Sequence, residues 1–268
     1  MNRIDRKFRE LRARKKKAFI AFLTAGYPDL PTTLQLVLAC ERGGADIVEL
    51  GIPFSDPMAD GPVIQFSSQE ALRKGVTPAK IFDLVSAVRM KSRIPLCLMT
   101  YYNPVFAYGR ERFLKKAHTL GVDGVIIPDL PPEEDKEFVR YAHRYGIAPV
   151  CFIAPTTTRE RMAYIARRSR GFIYYVSLTG VTGARKHLPA DLQKQLSAVK
   201  RITDRPVCVG FGVSRPEQVR RLCRAADGVI VGSAIINKIR QSRSKKTMIK
   251  AVEDYVRKLQ YVPQDHIR

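Results

Sequence analysis

Two carboxylates, Glu49 and Asp60, are the residues of this sequence best suited to move protons. Glu49 lies near the end of an apolar run typical of a β-strand, and Asp60 follows eleven residues later in a segment rich in Gly and Pro, which is typical of a loop. Carboxyl groups on different supports meet different surroundings, so their pKa values and their roles can differ. The pair predicts general acid/base chemistry in which each member has its own task.

A single acid inside an apolar run is costly to bury and needs an explanation. One interpretation is a salt bridge between Glu49 and an arginine. The other is a position beside an apolar pocket, where desolvation raises the pKa and the carboxyl exchanges protons near neutral pH. Asp60 followed by Gly61 is also an ordinary turn pair, so the case for Asp60 alone is weaker.

Eight short apolar runs alternate with amphipathic, helix-like segments along the chain. The runs have few polar residues on either face, as parallel strands covered by helices do. Eight β and α units predict a (β/α)8 TIM barrel with an extra N-terminal helix, residues 1–268 forming one domain; an open doubly wound sheet is the alternative. The runs are 18–23, 45–50, 94–99, 124–127, 148–153, 172–176, 206–209 and 228–231, and helix patterns cover 31–43, 78–90, 133–145, 159–168 and 216–224.

A barrel predicts that chemistry clusters after the strands, at their C-terminal ends. The glycine motifs G-F-G-V-S at 210–214 and V-G-S-A at 231–234 follow the last two runs, where barrels commonly bind phosphate through backbone N–H groups and a helix N-terminus. The loop 179–186 after the sixth run predicts a lid over a phosphorylated substrate, or simply an exposed loop. Aromatic and sulfur side chains could line a cavity at the same end: Phe22, Met99, Tyr101, Tyr174 and Phe211.

The net charge of +22 comes largely from two basic clusters, residues 3–17 and 238–250. Such clusters can bind nucleic acid or an anionic membrane, but apolar residues at helical spacing, such as Ile4, Phe8 and Leu11, favour solvated helix faces instead. No apolar run is long enough for a membrane span, the five cysteines show no C-x-x-C spacing, and the four histidines are scattered. We therefore expect a cytoplasmic protein with no bound metal, and neither a membrane nor a nucleic acid as partner.

Several segments together resemble one family, the alpha subunit of tryptophan synthase. They are A-F-L-T-A-G-Y-P-D at 21–29, V-E-L-G-I-P-F-S-D-P-M-A-D-G-P at 48–62, M-T-Y-Y-N-P at 99–104, P-D-L-P-P-E-E at 128–134, S-L-T-G-V-T-G-A-R at 177–185 and V-G-F-G-V-S at 209–214. The motifs follow the family's order and separations over residues 3–258.

The resemblance implies a (β/α)8 lyase that cleaves indole-3-glycerol phosphate by a retro-aldol reaction to indole and D-glyceraldehyde 3-phosphate, in L-tryptophan biosynthesis. It implies that Glu49 is the general acid/base and that Asp60 accepts the indole N–H. By the same resemblance, Phe22, Tyr101, Tyr174 and Phe211 surround the substrate, Thr182 draws the lid onto Asp60, and the phosphate lies among Gly183, Gly212, Gly232 and Ser233.

The resemblance also implies a partner and no cofactor in this chain. A beta subunit carrying pyridoxal phosphate would receive the indole in an alpha2beta2 heterotetramer. The matching docking residues are Pro53, Asp56, Pro57, Asn103, Phe106 and Pro131. The alternatives are a free-standing lyase that releases indole, another phosphate-binding barrel such as a phosphoribosyl isomerase, and a non-catalytic barrel that binds nucleic acid through its basic faces.

Overall fold

Eight parallel strands close into a barrel in the order β1 to β8. The structure, a computed structural model, describes residues 2–176, 192–210 and 212–260. β1 pairs with β2 on one side and with β8 on the other, which rules out the open doubly wound sheet. The strands are β1 (Ala18–Thr24), β2 (Ile47–Gly51), β3 (Leu96–Met99), β4 (Gly124–Ile126), β5 (Ala148–Ile153), β6 (Ile173–Val176), β7 (Val207–Gly210) and β8 (Gly228–Val231).

Helices surround the barrel, and the second, third and eighth strands are each followed by two of them. None of those in the described ranges has both the length and the apolar character needed to cross a bilayer. They are α1 (Arg3–Ala13), α2 (Leu30–Arg42), α3 (Pro62–Arg73), α4 (Pro78–Arg89), α5 (Tyr102–Tyr108), α6 (Arg110–Thr119), α7 (Lys136–Arg144), α8 (Arg159–Arg168), α9 (Leu192–Lys200), α10 (Pro216–Cys223), α11 (Ser233–Gln241) and α12 (Lys245–Gln260).

Local capping fixes where several helices begin. The Asp29 side chain accepts the N–H of Thr32 at 2.7 Å, and Pro78 and Pro216 occupy first helical positions, where no N–H is needed. The helix predicted over 133–145 begins only at Lys136, because Asp135 caps it by accepting the N–H of Phe138 at 2.9 Å.

Alternate residues of the strands face two separate cores. Val48 and Leu50 of β2 pack outward against the helices, whereas Ile47 packs inward with Ile20 and Cys97. The inner core fills the lower and middle parts of the barrel and stops at its C-terminal mouth.

Helix α1 closes the opposite, N-terminal end of the barrel. Its side chains Ile4, Phe8 and Leu11 are buried, as their spacing predicts, and a Cβ built on Gly124 would lie only 2.9 Å from the Ile4 Cδ1 atom. The Asn2 amide donates to the carbonyl oxygen of Asp123 at 2.7 Å and thereby anchors the helix. Ile4 therefore acts as a plug for the base of the barrel.

We expect Ile4→Ala to lower the free energy of unfolding by about 2 to 4 kcal/mol, because the cavity is enclosed by strands that cannot collapse into it. Ile4→Val, which removes one methylene group, should cost about 1 kcal/mol. Urea denaturation of both variants measures the loss. Equal stability of wild type and Ile4→Ala would contradict the assignment of α1 as the plug.

Candidate active site at the barrel mouth

The side chain of Glu49 lies inside the barrel at its mouth. It alternates with the outward-facing Val48 and Leu50, and it is level with Phe22 on β1 and Cys97 on β3. The residue is 0% exposed, and neither carboxyl oxygen has a hydrogen-bond partner within the described part of the chain. A buried carboxyl group left free of partners is typical of a functional group rather than a structural one.

Two causes together raise the pKa of Glu49 to about 8: burial, which is the larger, and the nearby charge of Asp60. The salt bridge considered from the sequence is not formed with any arginine or lysine in the described ranges. Near neutral pH the carboxyl is therefore mostly protonated and can both donate and take back a proton.

Asp60 lies in the loop between β2 and α3 and is also buried, at 7% exposure. Burial raises the pKa of Asp60 and outweighs the lowering effect of a hydrogen bond from the Tyr101 side chain, so that the resulting pKa is about 6. The Tyr101 hydroxyl accepts the N–H of Ala59 at 3.0 Å, and the Gln65 side chain donates to the carbonyl oxygen of Asp60 at 2.8 Å. These contacts hold the loop over the mouth with Asp60 as the more acidic of the two carboxyl groups.

Tyr174 and Phe22 form apolar walls of the same mouth. Burial is the main cause that raises the pKa of Tyr174, followed by the charges of Glu49 and Asp60, so the phenol stays protonated beside both carboxyl groups. Tyr174 lies close to Gly210, where a Cβ would approach its Oη atom to 2.7 Å. Any side chain at Gly210 would therefore collide with Tyr174. Gly51 makes room for Phe22 in the same way, because a Cβ on Gly51 would lie 2.6 Å from the Phe22 Cζ atom.

Two of the predicted phosphate-binding glycines, Gly212 and Gly232, follow the ends of the neighbouring strands β7 and β8. Gly210 pairs with Ile230, and Gly212 and Gly232 each come two residues after that pair in the sequence. Gly212 has φ +64°, which favours glycine, and Gly232 precedes Ser233, the first residue of α11. The free N–H groups at this helix start suit an anion.

Three predicted residues, Thr182, Gly183 and Phe211, lie outside the described residues, as does the proposed lid 179–186. Their roles remain predictions from the sequence.

The sequence reasoning missed three residues that support the mouth. Phe152 faces inward beside Tyr174, with ring centroids 4.8 Å apart, and its register opposite Tyr174 was the available signal. Gln218 accepts the N–H groups of Ser214 and Arg215 at 2.9 and 3.1 Å, and Tyr255 donates its hydroxyl to the Ser214 carbonyl at 2.8 Å. These contacts fix the backbone that follows Gly212.

The predicted docking residues lie on the rim of the mouth, in the segments that follow β2, β3 and β4. Two of the three large apolar side chains exposed in the described part of the chain are here, Met58 at 73% and Phe106 at 59%. Asp56 and Asn103 are exposed, Pro57 and Pro131 are half-buried, and Pro53 is buried. Pro53 can therefore shape the loop but offers little surface of its own.

The closed barrel and the groups at its mouth define a (β/α)8-barrel enzyme, a class whose active sites lie at this end of the strands. A profile of the tryptophan synthase alpha chain family matches residues 8–263. The tryptophan synthase alpha chain of Caldanaerobacter subterraneus subsp. tengcongensis is 50% identical over 262 residues, which cover 98% of this chain and 100% of that protein. The chain therefore belongs to the tryptophan synthase alpha chain family.

Solved structures agree with this assignment. The crystal structure of the tryptophan synthase alpha chain from Legionella pneumophila subsp. pneumophila matches with a TM-score of 0.89 at 37% identity, covering 97% of this chain and 96% of that one. A chain of the tryptophan synthase α2β2 complex from Pyrococcus furiosus matches with a TM-score of 0.84 at 42% identity, covering 90% and 97%.

Replacing the titratable carboxyl of Glu49 with an amide should make stability less dependent on pH. Between about pH 4.5 and pH 8 the folded protein keeps a proton on Glu49 that the unfolded chain has lost, so raising the pH through this window lowers the free energy of unfolding. Glu49→Gln does not titrate. We expect the free energy of unfolding of the variant to rise relative to that of wild type as the pH rises, by roughly 1 to 3 kcal/mol at pH 8. Urea denaturation from pH 5 to pH 8 measures this difference.

The exposed Glu160→Gln is the control. A stability difference between Glu49→Gln and wild type that stays constant from pH 5 to pH 8 would refute the raised pKa of Glu49.

Proposed function

We propose that this chain carries out the alpha reaction of its family, the retro-aldol cleavage of indole-3-glycerol phosphate to indole and D-glyceraldehyde 3-phosphate, with Glu49 and Asp60 as the catalytic groups. The observation that carries the assignment is the Glu49 carboxyl, fully buried at the mouth and without a hydrogen-bond partner in the described ranges. Such a group is available to the substrate because the protein does not use it for structure.

The first step is proton transfer to the indole ring. The protonated Glu49 carboxyl donates to C3 of the indole, and the positive charge that develops on the ring nitrogen is stabilised by the Asp60 carboxylate, which accepts the N–H. With pKa values of about 8 and about 6, the two groups have the required protonation states together near pH 7. Because Glu49 is protonated and neutral, the Asp60 carboxylate is not repelled by a second negative charge nearby.

The second step breaks the carbon–carbon bond. Glu49, now a carboxylate, takes the proton from the glycerol hydroxyl adjacent to the ring, and that oxygen forms the aldehyde carbonyl. The electron pair of the bond to C3 returns to the ring and neutralises the nitrogen. Glu49 ends in its starting protonation state, so no oxidant or cofactor takes part, and pyridoxal phosphate belongs to the beta subunit of the complex.

The substrate spans the mouth from the carboxyl groups to the phosphate loops. The first N–H groups of α11, after Gly232, and the Ser233 hydroxyl bind the phosphate beside Gly212. Phe22, Tyr174 and Phe152, the last of which the sequence did not predict, pack against the indole. We extend these roles to Thr182, Gly183 and Phe211 on the strength of the family motifs alone.

A beta subunit of tryptophan synthase is the partner of this chain, as in the α2β2 complexes of related proteins. The docking surface we propose is the rim that carries Asp56, Asn103 and Phe106. The exposed Phe106 and Met58 give it an apolar centre. The loop between β2 and α3 carries Asp56 and Met58 and also Asp60. Docking of the partner would therefore affect the position of a catalytic carboxyl group directly. We further propose that residues 1–268 form one domain in the cytoplasm.

We expect Glu49→Gln to lower kcat for indole release by about 10² to 10⁴-fold, because an amide can neither donate the C3 proton nor take the hydroxyl proton. The assay uses the purified chain with and without a beta subunit, and Glu160→Gln as the matched control. Full activity in Glu49→Gln would remove it from the mechanism.

Asp60→Asn should lower kcat more than it raises KM, because the carboxylate charge matters most once the ring nitrogen becomes positive. The same assay, run over a range of substrate concentrations, separates the two constants. A rise in KM at unchanged kcat would make Asp60 a binding residue instead.

A further inference from the structure

A broad cleft opens at the N-terminal end of the barrel, on the side opposite the mouth. Helix α1 and residues 14–17 form one wall, and parts of α8, residues 202–206 and residues 223–227 form the other. Its volume is about 1330 Å³. Three lining residues are acidic, Asp5, Asp204 and Asp227, and nine are cationic: Arg9, Arg12, Arg14, Lys15, Lys16, Lys17, Arg167, Arg205 and Arg224.

Most cations of this cleft lack a close acidic partner. Within the described residues, Lys17 alone among the nine has a carboxylate within 4.0 Å, and its partner Asp227, at 3.4 Å, is shared with Lys200 at 2.8 Å. Arginines on other faces are paired: Arg42 contacts Glu253 at 2.8 Å. Uncompensated positive charge is therefore concentrated in one concave place.

Backbone contacts hold some of these cations in position. The Arg205 Nε atom donates to the Ala166 carbonyl at 2.9 Å, and an Arg12 Nη atom donates to the Asp204 carbonyl at 3.3 Å. Burial lowers the pKa of Arg205 and the charge of Arg170 lowers it further, an effect that Asp5 opposes; Arg205 is therefore repelled by a neighbouring cation. An anion bound in the cleft would relieve that repulsion.

Lys15 adds a second, independent observation. It has φ +54°, the only positive φ of a residue other than glycine in the described ranges. It follows the end of α1, where Lys16 donates its N–H to the Leu11 carbonyl at 2.8 Å, an arrangement that strongly favours glycine. A lysine at this position keeps a charge on the cleft at the expense of backbone strain, and such strain is found mainly at functional sites.

We propose that this cleft binds a small anion that carries several phosphate groups. Arginine side chains suit phosphate oxygens because each guanidinium can donate two parallel hydrogen bonds. A nucleic acid fits less well, because Phe8, the only aromatic side chain of the lining, is 8% exposed and packs against Phe172 with ring centroids 5.9 Å apart. It offers no surface for stacking a base. The site is separate from the mouth and does not depend on the function proposed there.

The test is calorimetric titration of the full chain with inorganic tripolyphosphate at a constant ionic strength of about 0.15 M. Excess glycerol 3-phosphate occupies the mouth. We expect saturable binding of one equivalent, at least tenfold tighter than binding of sulfate under the same conditions. Absence of saturable binding would overturn the proposal.

The decisive variant is Arg9→Gln/Arg14→Gln/Lys15→Gly/Arg167→Gln, which changes four exposed side chains. It should bind tripolyphosphate at least tenfold more weakly than wild type. The matched control removes four exposed cations elsewhere, Arg243→Gln/Lys245→Gln/Lys246→Gln/Lys250→Gln, and should stay within twofold of wild type. Equal losses in both variants would mean that net charge, and not the cleft, attracts the anion.

Lys15→Gly alone separates function from stability. It should raise the midpoint of thermal unfolding by about 2 °C, because glycine accepts the positive φ, and yet weaken tripolyphosphate binding. A rise in the midpoint with unchanged binding would show that Lys15 has no part in the site, and would contradict the argument that its strained backbone serves anion binding.

Competition identifies the source of the phosphates. ATP that displaces tripolyphosphate with similar or higher affinity supports a small polyphosphorylated ligand. Displacement by a 20-nucleotide RNA at far lower concentration than by ATP, lost in the cleft variant, would replace the proposal with nucleic-acid binding.

Discussion

The constraint on which the site depends is the burial of the Glu49 carboxyl without compensation by a cation or a hydrogen bond from the described residues. An ionised carboxylate in such a place is unfavourable by several kcal/mol, so the protein keeps the proton instead. β2 sustains this position because β1 and β3 pair with it on both sides, and because the inner core below it is filled as far down as Ile4. The rest of the barrel supplies the rigidity that keeps an unfavourable group from moving to water.

Asp60 is held differently, and the difference suits a different task. Its loop is fixed by side chains, the Tyr101 hydroxyl and the Gln65 amide, rather than by a sheet. The loop is continuous with the rim that carries Asp56 and Met58. A partner that binds this rim can therefore change the position or the pKa of Asp60 while leaving Glu49 in place, which gives docking a physical route to the chemistry.

The sequence pattern predicts much of the fold because buried parallel strands are apolar on both faces. All eight predicted runs overlap a strand, although β2 and β3 begin two residues later than predicted and β1, β2 and β7 each end one residue beyond the run. Ala45 and Ile94 are apolar because they are buried in the core between the barrel and the helices, at 8% and 4% exposure, and not because they pair in the sheet. Periodicity alone cannot separate these two causes.

Contacts between distant segments were beyond the reach of the sequence. Phe152 became a wall residue only through its register with Tyr174, and Gln218 and Tyr255 support the loop after Gly212 from two different helices. The basic segment 3–17 was correctly expected to bury an apolar stripe. That its charged face meets Arg167, Arg205 and Arg224 across a cleft follows only from closure of the barrel.

The most direct measurement is the pKa of Glu49 itself, obtained by ¹³C NMR titration of protein labelled at the glutamate side-chain carboxyl carbons, with Glu49→Gln to assign the resonance. Burial of an unpartnered carboxyl predicts a pKa of about 8 for this resonance. It also predicts a second, small inflection near pH 6 as Asp60 titrates beside it. A single titration near 4.5, the ordinary value, would contradict the account, because the carboxyl would then be solvated or paired and no longer a proton donor at neutral pH.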